Sequence, residues 1–144
     1  MSTEQNKAAI RRVYEEAFNK ADLTVLNEVL APNKIQHSPG GIEFTGPEAF
    51  GQYVTMMRTA FPDLHITVEN LTAEGDYVAH RASVTGTHRG KLRDIPPTGK
   101  RVAATINTLS RFVGDKEVEA WQEFDTLSFY QQLGIIPPMS QAGK

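Results

Sequence analysis

The sequence contains no cysteine, which excludes disulfide bonds, thiolate nucleophiles and zinc sites that use thiolate ligands. Its formal net charge is only −2, so it offers no basic surface for nucleic acid. No apolar run is long enough to cross a bilayer. The first residues, Met1-Ser2-Thr3-Glu4-Gln5, lack the basic and apolar regions of a secretory signal. We therefore expect a cytoplasmic protein that binds neither nucleic acid nor a membrane.

Common signatures of metal and nucleophile chemistry are also missing. The four histidines show no His-x-x-x-His or Glu-x-x-His spacing, so we predict no metal site. No Gly-x-Ser-x-Gly motif is present to indicate a serine hydrolase.

Apolar side chains recur with helical spacing in the first part of the chain, and three helices are predicted there. The first carries the stripe Ile10, Val13, Tyr14, Ala17 and Phe18. A capping box of Ser2 and Gln5 is predicted to begin the first helix. Asp22 is predicted to begin the second helix and Pro32 to end it. A capping box of Thr45 and Glu48 is predicted to begin the third helix, and Pro62 to end it.

From Leu64 onward apolar side chains recur every two residues instead of every 3.6 residues, which predicts four β-strands. Leu71 falls out of phase and Gly86 interrupts the second strand, so both positions indicate β-bulges. Helices followed by an antiparallel meander are typical of an α+β fold with the helices on one face of a curved sheet. We expect a single domain over residues 1–144, with a loosely ordered tail after about residue 137.

The last strand carries the most informative residue, Asp125. Because strand side chains alternate, Trp121, Glu123 and Asp125 share one face. An aromatic ring with two carboxylates indicates a pocket, and apolar surroundings suit a carboxylate to act as a general base. The alternative is that Asp125 is the N-cap of a short helix that follows it.

The register of the final hairpin decides whether Arg111 shares the face of Asp125. A two-residue loop at Gly114-Asp115 pairs Val113 with Lys116 and places Arg111 and Asp125 on opposite faces. A three-residue loop places four polar or aromatic side chains on one face, namely Asn107, Arg111, Trp121 and Asp125. The residues alone leave both registers open.

Several short motifs occur in an order and spacing typical of one family. They are His37-Ser38-Pro39, Gly46-Pro47-Glu48, Phe61-Pro62-Asp63, Gly86-Thr87-His88-Arg89-Gly90, Ile95-Pro96-Pro97-Thr98-Gly99-Lys100, Arg111-Phe112, and the segment from Trp121 through Asp125 to Gln132-Leu133-Gly134. Over nearly its whole length the chain resembles the SnoaL-like polyketide cyclases, in the superfamily named after nuclear transport factor two. The resemblance implies a cone-shaped curved sheet with a pocket in its mouth, and it favours the three-residue loop.

The same resemblance implies a cofactor-free enzyme that closes a ring by intramolecular aldol condensation of a hydrophobic, polycyclic or polyketide-like carbonyl compound. It assigns proton removal to Asp125 and places His37 in the pocket. Arg111 stands where some members carry a histidine, and a permanent cation would stabilise an enolate rather than move protons. The alternatives are isomerisation or epoxide opening on the same fold, and a non-catalytic domain for small-molecule binding or assembly.

The predicted substrate pocket combines side chains from the helices and the strands. They are Tyr14, Phe18, Phe50 and Met57 from the helices, and His88, Asn107 and Trp121 from the strands.

We also expect a homodimer or a tetramer. If Asn107, Arg111 and Asp125 face the pocket, the alternate positions of the last two strands face outward. These positions are apolar, namely Val102, Ala104, Ile106, Val118 and Ala120. An uncovered apolar patch of this kind is unusual on a monomer.

Overall fold

The computed structural model of the chain describes residues 2–138. These residues form four α-helices and six β-strands, and one π-helical segment continues the first helix. The predicted loose tail lies almost entirely outside the described residues. The elements are α1 (Thr3–Arg12) with its π-helical continuation (Val13–Phe18), α2 (Thr24–Val29), β1 (Leu30–Ser38), β2 (Ile42–Thr45), α3 (Gly46–Ala60), β3 (His65–Glu74), β4 (Tyr77–Thr87), β5 (Arg101–Val113), β6 (Lys116–Phe124) and α4 (Thr126–Gln132).

The six strands form one curved, unclosed sheet in the order β2-β1-β6-β5-β4-β3. The strands β3 to β6 form the predicted antiparallel meander, and the α+β class is confirmed. The sheet is mixed, however, because β1 runs parallel to β6. After β1 the chain passes through β2 and α3 to the far edge of the sheet, and the meander brings β6 back beside β1 in the same direction.

The helices cover one face of the sheet, called here the inner face, and bury their apolar stripes against it. Ile10 of α1, Val25 and Leu26 of α2, and Val54 of α3 are at most 2% exposed. Removal of this apolar surface from water is the main stabilising contribution to the fold. Within residues 2–138, no helix has the length and apolar character needed to span a membrane.

The predicted helix cap is present at one of the three helix starts. Ser2 and Gln5 form the capping box of α1, in which the N–H of Gln5 donates to Ser2 Oγ over 3.1 Å. The N-cap residue of α2 is Leu23 rather than the predicted Asp22, although Asp22 Oδ1, one residue earlier, accepts the N–H of Thr24 over 3.2 Å. Thr45 is the N-cap residue of α3, but its side chain makes no capping hydrogen bond, so the box predicted there does not form.

One of the two predicted bulges is present. The pairing of β3 with β4 shifts between Val68 and Asn70, which explains why Leu71 is out of phase. Gly86 instead pairs in continuous register with Val102. A Cβ at Gly86 would lie 2.9 Å from the Cβ of Phe61, so this glycine provides room for a buried ring and forms no bulge.

The turn between β5 and β6 is the shorter of the two predicted loops. Gly114-Asp115 joins the strands and Val113 pairs with Lys116. Gly114 has a φ of 62°, a left-handed conformation that glycine adopts without strain. The three-residue loop that the resemblance favoured is therefore wrong.

A β-bulge at Val118 then shifts the register of this hairpin by one residue. Before the bulge Phe112 pairs with Glu117, and after it Arg111 pairs with Glu119. Phe112 and Glu117 are buried on the inner face, whereas Arg111 and Glu119 remain partly exposed on the outer face. The bulge therefore turns a carboxylate into the protein interior.

The inner and outer faces of β5 and β6 are the reverse of those predicted. Val102, Ile106 and Ala120 were expected outside, but all three are buried. Ala104 lines an internal cavity and Val118 is half-buried at the bulge. The apolar positions face inward because the helices need an apolar surface to pack on. The predicted dimer surface formed by these five residues is therefore wrong.

Substitution by alanine should have opposite effects on stability at two glycines. A Cβ at Gly90 would overlap the backbone carbonyl oxygen of Thr59, whereas a Cβ at Gly51, inside α3, would lie 3.6 Å from Leu23 Cδ1 in ordinary contact. We expect Gly90→Ala to lower the free energy of unfolding by about 1–3 kcal/mol through overpacking. Gly51→Ala should raise it by about 0.5–1 kcal/mol. Urea unfolding of both variants checks this, and an equal effect of the two substitutions contradicts it.

Candidate active site

The pocket lies between the helices and the inner face of the sheet, and it has two adjoining parts. The inner chamber has a volume of about 70 Å³, and the outer chamber has a volume of about 320 Å³. Five side chains line both chambers, namely Tyr53, Met57, Gln122, Phe124 and Phe129. A ligand bound across this boundary would have its end in the inner chamber and its larger part in the outer chamber.

Four of the predicted pocket residues line the inner chamber. Tyr14 and Phe18 come from the π-helical continuation of α1, and Phe50 and Met57 come from α3. The Phe18 and Phe50 rings meet edge to face with centroids 5.9 Å apart, a favoured aromatic geometry. These four side chains thus line a cavity, and their contact with a substrate stays a prediction.

A buried ion pair contributes the charged groups of the inner chamber. Lys34 Nζ lies 3.1 Å from Glu117 Oε1 and donates a hydrogen bond to Gln36 Oε1 over 2.6 Å. The side chains of Lys34 and Glu117 are 2% and 5% exposed. The ammonium also lies 4.4 Å from the centroid of the Phe50 ring. Burial lowers the pKa of Lys34, and the neighbouring Glu117 carboxylate opposes that shift.

The sequence patterns did not identify Lys34, Gln36 or Glu117 as pocket residues. Alternation along β1 was a signal for Lys34 and Gln36, because both occupy inward positions on either side of the exposed Ile35. No comparable signal existed for Glu117. Only the bulge at Val118 turns it inward, and Val118 and Ala120 keep the spacing of a regular strand, so the sequence gives no sign of this bulge.

A second polar group in the inner chamber is a chain of hydrogen bonds through His80. The Tyr14 hydroxyl lies 2.7 Å from His80 Nδ1, and Ser110 Oγ lies 2.9 Å from His80 Nε2. Burial lowers the pKa of His80 to about 4 and raises the pKa of the Tyr14 hydroxyl. Both side chains are therefore neutral near pH 7. Either tautomer of the imidazole can hydrogen-bond to both hydroxyl groups.

The outer chamber is mainly apolar. Its walls are formed by side chains of β2, α3, the loop after β4 and α4, namely Ile42, Phe44, Met56, Leu92, Phe129 and Tyr130. Polar groups are fewer, and they include Ser38, Gln52 and Arg93. Such a lining suits a hydrophobic ligand with a few polar substituents.

Asp125 does not lie in the apolar pocket that was predicted for it. Its side chain is exposed, and Oδ1 accepts the N–H of Ser128 over 2.9 Å as the N-cap of α4. The strand ends at Phe124, so Asp125 is already part of the turn into the helix. Its two neighbours, Phe124 and Thr126, line the outer chamber. Asp125 itself is among the lining residues of neither chamber.

His37, Arg111 and Trp121 do come together, but on the outer face of the sheet. The His37 ring stacks on Trp121 with centroids 5.6 Å apart. Its nitrogens lie 2.8 Å from Glu43 Oε2 and 2.7 Å from Glu119 Oε2. The hydrogen bond to Glu119 raises the pKa of His37, and the same contact lowers the pKa of Glu119. The prediction that these three residues line the pocket is wrong, because β1, β5 and β6 turn them away from it.

Two further predicted pocket residues lie elsewhere. Asn107 is exposed on the outer face, where its Oδ1 accepts a hydrogen bond from Arg81 over 3.4 Å. His88 is fully buried behind the Phe61 ring, and its Nδ1 lies 3.0 Å from Thr98 Oγ1. His88 therefore holds the loop after β4 and lines neither chamber. Across residues 2–138, no three His, Cys, Asp or Glu side chains are arranged to hold a metal ion.

Comparison with known proteins identifies related sequences over most of the chain. The profile of the SnoaL-like polyketide cyclases matches residues 8–133. Aklanonic acid methyl ester cyclase DauD of Streptomyces sp. (strain C5) is 33% identical over 111 residues, which cover 76% of this chain and 67% of that protein. Nogalonic acid methyl ester cyclase of Streptomyces nogalater is 28% identical over 114 residues, which cover 75% and 84%.

Solved structures with the same fold include two Streptomyces proteins. AclR from Streptomyces galilaeus, a proposed hydroxylase, superposes with a TM-score of 0.83 at 30% identity and covers 99% of this chain and 88% of its own. IdmH from Streptomyces antibioticus, a proposed polyketide cyclase, superposes with a TM-score of 0.78 at 32% identity and covers 90% and 99%.

The buried His80 predicts a specific loss of stability in acid. The unfolded chain protonates this histidine near pH 6.5, whereas the folded protein does so only near pH 4. Between these values the unfolded state binds more protons, so the free energy of unfolding falls as the pH is lowered. The His80 contribution lost over this range is about 3 kcal/mol. We expect His80→Gln to lose correspondingly less stability than the wild type in urea unfolding between about pH 7 and about pH 4. Equal losses in both proteins contradict this prediction.

Proposed function

The chain belongs to the SnoaL-like polyketide cyclase family, and we propose that it closes a ring in a polyketide-like carbonyl substrate. The observation that carries this proposal is the two-chamber pocket, in which apolar walls surround a few buried polar groups. Such a pocket takes a hydrophobic polycyclic molecule and orients it through its oxygen atoms. The relatives support this substrate class, because they are named as cyclases of aklanonic and nogalonic acid methyl esters.

The proposed reaction is an intramolecular aldol closure. A base removes a proton from a carbon next to a carbonyl group, and the resulting enolate carbon attacks a second carbonyl of the same molecule. A carbon–carbon bond forms, and the new alkoxide takes up a proton. The product is an isomer of the substrate, so the step requires neither an oxidant nor an organic cofactor. We propose that the chain uses none.

We propose Asp125 as the base. In the chain it stands between Phe124 and Thr126, both of which line the outer chamber, and its own side chain is exposed. Capping of α4 uses Oδ1, and the hydrogen-bond capacity of the carboxylate exceeds this one contact. His37 and Arg111 lie on the other side of the sheet, so they have no part in this proposal.

A second candidate function is non-catalytic binding of a similar small molecule. The exposed, helix-capping position of Asp125 favours it, because a general base usually gains its reactivity from a drier environment. Turnover distinguishes the two functions, since a binding domain has none.

We also propose that the chain acts in the cytoplasm as a homodimer that associates through the outer face of the sheet. Leu109 pairs with Trp121 across β5 and β6, and the two side chains are 40% and 36% exposed. Ile35 and Tyr77 lie nearby on the same face and are also exposed. The Glu119–Arg111 ion pair lies between Ile35 and Tyr77, so this face combines exposed apolar side chains with paired charges, a composition that suits a two-fold interface.

The role of Asp125 is tested with Asp125→Asn and Asp125→Ala. Asparagine is as good an N-cap as aspartate, so Asp125→Asn should keep the stability of the wild type while losing the base. With aklanonic acid methyl ester as substrate, we expect turnover to fall by about 10²–10⁴-fold, measured by chromatography of the isomeric product. Asp125→Ala should lose the same turnover and in addition about 1 kcal/mol of stability. Unchanged turnover of Asp125→Asn would remove Asp125 from the mechanism.

The dimer is tested by light scattering. We expect a particle of twice the 16.0 kDa chain mass for the wild type. Leu109→Lys should shift the population toward the monomer, because it places a charge within the apolar face. Leu127→Lys is the matched control, since Leu127 is 43% exposed but lies on α4. A wild-type monomer at micromolar concentration, or equal dissociation of both variants, argues against this interface.

A further inference from the structure

The Lys34 ammonium has hydrogen-bonding capacity that the protein does not use. An ammonium group has three N–H donors. Two are accounted for by Gln36 at 2.6 Å and Glu117 at 3.1 Å. Among residues 2–138 no third acceptor lies within hydrogen-bonding distance of Nζ, and Lys34 is one of the residues that line the inner chamber. A donor is therefore available next to a cavity.

The apolar surroundings of Lys34 strengthen a hydrogen bond that its ammonium group donates. The inner chamber is otherwise lined mainly by apolar and aromatic side chains, among them Phe18, Phe50, Leu64 and Ile106. A hydrogen bond from a charged donor is stronger in such a site than in water. Glu117 already balances the positive charge, so the site as a whole is neutral. A neutral acceptor therefore fits it better than a second anion, which Glu117 would repel.

From this geometry we propose that the inner chamber is a binding site for a ketone or quinone carbonyl oxygen, which accepts a hydrogen bond from Lys34. The small inner volume takes the oxygen-bearing end of the ligand, and the rings lie at the boundary with the outer chamber, beside Tyr53, Met57 and Phe129. The ligand class rests on the proposed function, which supplies a carbonyl compound. The site itself depends neither on Asp125 nor on turnover.

The test uses two probes that differ in one oxygen atom, 1-tetralone and tetralin. Isothermal titration calorimetry gives the ratio of their affinities. A hydrogen bond from a charged group should favour 1-tetralone by about 10–100-fold in the wild type. The carbonyl stretching band of bound 1-tetralone should also move to lower frequency in the infrared spectrum. Equal affinities of the two probes, failure of 1-tetralone to bind, or an unshifted carbonyl band would each overturn the proposal.

The variants must avoid leaving a buried charge without a partner. Lys34→Met alone would strand Glu117, so the informative protein is Lys34→Met combined with Glu117→Gln, which removes both charges at similar volume. This double variant should lose the preference for 1-tetralone and the infrared shift. Glu117→Asp alone keeps a carboxylate beside the ammonium, so no buried charge loses its partner, and this variant should retain both. Retention of the preference in the folded double variant would overturn the role of Lys34.

Two further controls separate this site from the proposed function and from covalent chemistry. Asp125→Asn should bind 1-tetralone as tightly as the wild type even if it has no turnover, and a loss of binding in this variant would contradict the placement of the oxygen at Lys34. Reduction with borohydride in the presence of 1-tetralone should leave the mass of the protein unchanged. A mass increase at Lys34 would indicate an imine and overturn the hydrogen-bonded arrangement.

Discussion

The β-bulge at Val118 determines which chemical groups the inner face of the sheet receives. Without it, alternation along β6 would place Glu117 on the same side as Glu119, next to solvent. With it, Glu117 is buried beside Lys34, and Ala120, which follows two residues after the bulge, also faces the helices. One additional residue in a strand thus supplies the interior with a carboxylate and preserves the apolar surface on which the helices pack.

Local patterns were sufficient to predict α1 to α3 and β3 to β6, because the apolar stripe of each helix and the alternation in these strands reflect which side is buried. They did not predict the pairing of β1 with β6, which depends on the path of the whole chain. They also assigned the wrong side to Arg111 and Trp121. Alternation shows which residues share a face, but the side that is buried depends on the bulge and on where the helices pack. Asp125 belonged to a helix cap rather than to the strand, and both readings fit the same residues.

The buried polar groups of the inner chamber contribute less to the stability of the fold than to the specificity of the cavity. A buried ion pair such as Lys34–Glu117 generally stabilises a fold no more than apolar side chains of the same volume. Its presence in an otherwise apolar chamber therefore indicates a role beyond packing. The chain from Tyr14 through His80 to Ser110 is similar, because burial keeps the imidazole neutral and leaves its two nitrogens for hydrogen bonding. Together these groups provide fixed polar partners within an otherwise apolar cavity.

The separation between Glu117 of β6 and Asp125, which follows the end of that strand, limits how the pocket can work. Glu117 and Asp125 are eight residues apart in sequence, which corresponds to roughly 25 Å along a strand. In an aldol closure the proton, the enolate oxygen and the attacked carbonyl all lie within a few bonds of one another. A carbonyl oxygen bound at Lys34 therefore cannot belong to the carbon atoms that Asp125 would deprotonate. If Asp125 is the base, the inner chamber orients a remote oxygen of a long ligand, and binding energy there positions the reacting end.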